Sequence, residues 1–233
     1  MTARGTELPR IERLTLAVVT RVPVEHPEFP AFSPFPVHAW VIRHPSGPIL
    51  VDAGIGMHNV WVDEHFAPRR TSLGDALRRI GLVATDIVAV VVSHLHFDHC
   101  GQLDTLDAPV FVQGSEYEAS REQGYTVPEW ATIPEHRLRL VDGDREIDDG
   151  VRLLFTPGHT PGHQSVVVET PEGREVLAAQ CVFRAKELRD NAPSSTNLFS
   201  EAWADTAATS LDRIRALSPA RVHLSHDLEV VDL

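Results

Sequence analysis

The sequence predicts a mixed α/β protein. Short apolar runs of strand length recur along the chain, helix punctuation separates several of them, and the pattern suits neither a helical bundle nor a pure β-barrel. In chain order, the first strand is expected over 13–19. Residues 22–36 follow, where five prolines and three phenylalanines without periodicity exclude regular helix or a central strand. That segment is either a packed surface loop or one wall of a substrate pocket. Strands over 37–43 and 49–52 flank a turn-rich link at 43–48 that suits a hairpin. Next comes a helix: Ser72 with Asp75 resembles a capping box, Leu77 and Ile80 supply an apolar edge, and Gly81 suits the C-terminal cap.

Strands over 87–93 and 110–113 lead to a second helix bracketed by Ser115 and Gly124. Further strands are expected over 138–141, 151–156, 165–169 and 175–179, with turns at 148–150 and 171–173. A longer helix starts after Ser200, carries Trp203, Ala207, Leu211 and Ile214 at helical spacing, and ends by Pro219 before a last strand over 221–225. No repeat or linker divides the chain, so residues 1–233 read as a single domain.

Bulk properties narrow the class. The 233 residues are 42% hydrophobic, enough for a sizeable core. A formal charge of −12 and the lack of a basic stripe exclude nucleic acid as a partner, and the pairs Arg69-Arg70 and Arg78-Arg79 read as solvated surface. No apolar run approaches the roughly 18 residues of a membrane span, and the N-terminus shows no signal-peptide core. The two cysteines, Cys100 and Cys181, cannot build a disulfide framework. A cytoplasmic enzyme with a small-molecule substrate fits these properties, with a homodimer left open.

The chemistry is concentrated at 94–99, His-Leu-His-Phe-Asp-His, directly after the apolar run 88–92. Alternate imidazoles and then an Asp-His pair offer nitrogen and oxygen ligands for zinc or another borderline divalent metal. His159 and His226 stand in the same kind of place, just past a strand end, where open α/β folds collect ligands. The remaining histidines (His26, His38, His44, His58, His65, His136 and His223) lack ligand spacing and read as surface or locally bonded. His163, in a segment too rich in proline and glycine for a helix, reads as a turn residue or a donor behind the ligands.

With VHAWVIRHPSGPILVDAGIG, SHLHFDHCGQL, TPGHTPGHQS and LSHD in order from about Val37 to His226, the chain resembles the metallo-β-lactamase superfamily, closest to its N-acyl homoserine lactonase branch. That resemblance implies an αββα sandwich with two metal ions at one edge of the sheets. His94, His96 and His159 would match one metal position; Asp98, His99 and His226 would match the other. Asp52 matches a position that supports the ligands from behind, while on its own residues it reads equally well as a cap of the glycine-rich turn that follows.

Two positions depart from the pattern. Gln180 stands where the family has an aspartate bridging both metals; its amide oxygen can coordinate, but a neutral group cannot offset two divalent charges, so the second position is expected to be weaker or empty. Phe183 replaces a tyrosine that helps hold the substrate carbonyl. A one-residue slip would instead offer Cys181 as a thiolate ligand, against a plainer reading as a small buried residue.

The resulting expectation is a metal-dependent hydrolase acting on a lactone or ester carbonyl, with Zn2+ as one or two ions or another divalent metal in its place. The metal would bring the pKa of bound water from 15.7 toward about 7 and polarise the carbonyl, and Asp98 would orient the water or carry a proton. The competing readings are a thioesterase or other carbonyl hydrolase on the same scaffold, and a metal-binding homologue without turnover. A nuclease fits least.

Overall fold

The computed structural model describes residues 8–21 and 34–232, and the side chain of Thr196 is not described. Most of the proline-rich segment 22–36 therefore lies outside the described residues. The first half of the chain forms a seven-stranded sheet. Its strands are β1 (Arg10–Val19), β2 (Phe35–Arg43), β3 (Ile49–Val51), β4 (Arg69–Arg70), β5 (Ala89–Val91), β6 (Val110–Gln113) and β7 (Leu138–Val141), in the order β4-β1-β2-β3-β5-β6-β7. The second half forms a six-stranded sheet from β8 (Arg145–Asp148), β9 (Val151–Phe155), β10 (Gln164–Thr170), β11 (Gly173–Ala179), β12 (Arg221–Leu224) and β13 (Val230–Val231), in the order β13-β12-β11-β10-β9-β8. The helices are α1 (Val60–Phe66), α2 (Leu73–Arg79), α3 (Phe97–Cys100), α4 (Gly114–Ala119), α5 (Ala185–Asp190) and α6 (Ala204–Ala216).

Strand alternation builds the layers. In β2, Trp40 and Ile42 face the second sheet and meet Leu153, Val166 and Leu177 there, while Ala39 and Val41 face outward onto Leu73, Ala76 and Leu77 of α2. In β11, Leu177 and Ala179 join the layer between the sheets, and Val176 and Ala178 pack against Leu188 of α5 and Leu211 and Ile214 of α6. Sheets covered on both faces need apolar residues at consecutive positions, which is why these strands read as unbroken hydrophobic runs. The result is helices on either side of two stacked sheets, the expected αββα arrangement. No helix among the described residues is long and apolar enough to cross a membrane.

Several elements differ from the sequence reading. The strand expected over 87–93 is cut to β5: Ile87 still closes the turn Ala84–Asp86, and beyond Val91 Ser93 turns its N–H and hydroxyl to the Asp52 carboxylate, at 2.7 and 2.8 Å. Ser72 caps α2 as expected, accepting from the Asp75 N–H, whereas Ser115 lies inside α4 and bonds to Pro161 O instead of capping. The helix then ends at Ala119, short of Gly124. Arg70 is not free surface: its Nε donates to Gly56 O at 2.7 Å and its guanidinium pairs with Asp63. Short elements α1, α5, β4, β8 and β13 have no counterpart in the reading.

Candidate metal centre

The loops that matter leave the sandwich at one end. There β3 delivers Asp52, β5 delivers 94–99, β9 delivers His159, β11 delivers Gln180 and β12 delivers His226. Asp52 takes a left-handed backbone, φ 63°, which Asp tolerates better than most residues and which turns its carboxylate inward. Gly101, just past α3, lies so close to the neighbouring loop that a Cβ would sit 2.0 Å from Gly56 N. That contact seats the Asp98-His99 turn.

Among the described residues two groups of ligand-type side chains converge, His94 with His96 and His159, and Asp98 with His99 and His226, each group within 4.8 Å. In the first, His96 Nδ1 lies 3.1 Å from both His94 Nε2 and His159 Nε2. In the second, Asp98 Oδ2 lies 3.6 Å from His99 Nε2 and 3.4 Å from His226 Nε2. Gln180 Oε1 is 3.2 Å from His99 Nε2 and 2.9 Å from His226 Nε2.

For four of the five rings, the far side holds the Nδ1 proton. His159 Nδ1 donates to Asn197 O and His226 Nδ1 donates to Pro36 O, both at 3.0 Å, and a carbonyl can only accept. Ser93 gives its hydroxyl proton to Asp52, so its oxygen accepts from His94 Nδ1 at 3.1 Å. His99 Nδ1 donates to Asp52 Oδ2 at 2.8 Å. Asp52 thus supports the ligands from behind, and the inward Nε2 atoms of His94, His159 and His226 carry bare lone pairs.

Charge follows the same logic. Burial pushes the imidazoles of His159 and His226 down to about 3 and those of His94 and His96 well below the ordinary range, so they stay neutral. For His99, burial also opposes the charge, but Asp98 and Asp52 outweigh it and raise the ring to about 9. His226 Nε2 and Gln180 Oε1 are two acceptors facing each other at 2.9 Å with no proton between them. A shared cation resolves that opposition, so the residues present fit a divalent metal.

Four further residues lie around the centre. Glu116, fully buried on α4, accepts from Leu95 N at 2.8 Å, Thr160 Oγ1 at 2.6 Å, Gly162 N at 3.1 Å and the Tyr125 hydroxyl, tying the His94-His96 turn to the His159 loop. Sequence gave no sign of it, because a Glu beside a helix start reads as solvent-facing. Cys181 lies buried in the apolar layer under α5 and α6, where burial pushes its thiol up to about 12. It is not among the converging groups. Phe183 stacks on the His226 ring at 4.8 Å and meets Phe35 edge-on at 5.2 Å, making an apolar wall. His163 sits behind His94, bonded through Nδ1 to Thr156 Oγ1 at 2.9 Å.

Residues 32–226 match the model of the metallo-beta-lactamase superfamily. The chain belongs to the metallo-β-lactamase superfamily. Its relatives within the superfamily lie on the lactonase-like branch. An N-acyl homoserine lactonase of Bacillus sp is 32% identical over 210 residues, covering 83% of this chain and 82% of that protein. A second, from Rhizobium radiobacter, is 26% identical over 225 residues, covering 84% and 80%. Among solved structures of the superfamily, an N-acyl homoserine lactone hydrolase with N-hexanoyl-L-homoserine bound at its catalytic metal centre superposes with a TM-score of 0.77 at 25% identity, covering 95% of this chain and 94% of that one.

Proposed function

We propose that this superfamily member hydrolyses the carbonyl of a lactone or ester, as a metal-dependent enzyme with Zn2+ in one or two positions. The observation that carries the proposal is the convergence of His94, His96 and His159 beside Asp98, His99 and His226 at one end of the sandwich. Lactonase relatives that span most of the chain support the lactone as substrate. Two buried, unpaired cysteines support a reducing, cytoplasmic setting.

A bound divalent metal supplies Lewis-acid polarisation of the carbonyl and acidifies water. His94, His96 and His159 provide the lone pairs for one ion, and Asp98, His99, His226 and the Gln180 oxygen for the other. Asp98 is the one carboxylate of the two groups and is partly exposed, so it is placed to take a proton from the attacking water and return it to the leaving oxygen. Trp61, Phe66 and Phe97 form an aromatic wall beside it, with Trp61 and Phe97 edge-on at 6.3 Å, suited to an apolar chain on the substrate. Phe183 leaves no phenol to orient the carbonyl, so turnover on the relatives' substrate class is expected to be modest.

The test is metal content by elemental analysis for the wild type and Gln180→Asp, together with turnover of an N-acyl homoserine lactone and a thioester. Bound metal with lactone turnover, lost in His96→Ala, is expected. Turnover of the thioester alone would favour the other carbonyl hydrolase, and metal without turnover of either would identify a homologue that has lost catalysis.

A further inference from the structure

Gln180 raises a question that a carboxylate would not. An amide has two unlike ends, and only its oxygen can ligate a cation. Turned over, its NH2 would point at the bare lone pair of His226 at 2.9 Å and would satisfy it while closing the second metal position. The contact with His226 therefore favours the wrong orientation when no cation is bound.

The opposing contact comes from Asn197, in the loop between α5 and α6 and only 2% exposed. Its Nδ2 donates to Gln180 O at 3.0 Å and to Cys181 O at 3.4 Å. Carbonyls only accept, so Nδ2 is held on that side and Oδ1 must face Gln180, where it takes the Nε2 proton at 3.2 Å. A flipped Gln180 would set oxygen against oxygen there. The same residue's backbone carbonyl fixes the tautomer of His159 in the first group.

We propose that Asn197 is a positioning residue that sets the amide orientation of Gln180 and so keeps the second metal position open. This inference rests on the metal reading above. It separates the two positions cleanly: removing the Asn197 side chain leaves the backbone bond to His159 intact, so only the second ion should feel the change. It also predicts that a carboxylate at 180, which has no wrong face, makes Asn197 dispensable for metal binding.

The experiment is a Zn2+ titration against a chromophoric chelator for the wild type, Asn197→Ala, Gln180→Asp and the double variant, with the thermal midpoint of each metal-free protein alongside. Asn197→Ala is expected to weaken the second Zn2+ at least tenfold and the first less than twofold, while the same change in the Gln180→Asp background alters neither by more than twofold. Equal weakening in both backgrounds would mean that Asn197 acts only as packing and would overturn the proposal, as would a wild type that takes up a single Zn2+. No Zn2+ bound by any variant would instead remove the metal reading itself. Should Asn197→Ala fail to fold, the wild type still decides: the Gln180 side-chain NH2, assigned by its loss in Gln180→Asp, should exchange slowly with solvent before Zn2+ is added, and rapid exchange would refute a locked amide.

Discussion

His38 shows what a buried imidazole does away from the metal groups. It is fully buried between Thr15 Oγ1 and Asp227 O, and burial, with Arg13 nearby, holds it down to about 4. Between that value and the ordinary 6.5 the unfolded chain binds a proton that the native one refuses, so this ring subtracts stability as pH falls through the window, up to about 3 kcal/mol. His38→Gln is expected to flatten the loss of stability from pH 7 to 4, measured by urea unfolding at several pH values; an unchanged slope would contradict it. Residue-level legibility divided along the same line. The spacing of 94–99 is written in adjacent letters, whereas Glu116 and Asn197 act through backbone partners 21 and 17 residues away, and nothing local to either marks them.

Among the elements, α4 and the His159 loop are fitted most tightly. A Cβ on Gly162 would stand 2.1 Å from Glu116 N, a backbone atom that cannot step aside. Gly162→Ala is therefore expected to cost about 2–4 kcal/mol and to release metal from the His94 group, because the loop must lift from α4. Gly124→Ala, with φ +82° but nothing within 4 Å, should cost only about 1 kcal/mol and leave metal content unchanged. Denaturant unfolding and elemental analysis of the two variants give the comparison. Strands β6 and β7 were legible to the residue as short apolar runs, although β7 lies at the sheet edge and leaves Leu140 exposed. Helix α5 was not: Arg184 gives it no side-chain cap, and its first N–H is met by Asp227 Oδ2 at 3.0 Å from the far end of the chain. Helix α1 did carry a signal, since Asn59 accepts from Val62 N at 3.0 Å.

For the whole molecule, the metal groups draw on both sheets, with His94, His96, Asp98 and His99 from the first and His159, Gln180 and His226 from the second. A metal bound only by the folded chain adds stability as RT ln(1 + [L]/Kd), about 2.7 kcal/mol at a hundredfold excess over Kd. Chelation is expected to lower the thermal midpoint by several degrees, reversibly on adding Zn2+, and a midpoint indifferent to chelator would count against ligation across the sheets. The same end is also sewn by buried backbone bonds, His38 N to Ser225 O and Gln164 N to Ser93 O, both at 2.9 Å, with Gln164 Nε2 reaching Val92 O. At the opposite end the sheets are joined by exposed side-chain contacts such as His44 Nε2 to Asp149 O. Thermal breathing should then part the sandwich like a book, from the edge that does no chemistry, with the reactive groups along the spine where positional noise is smallest.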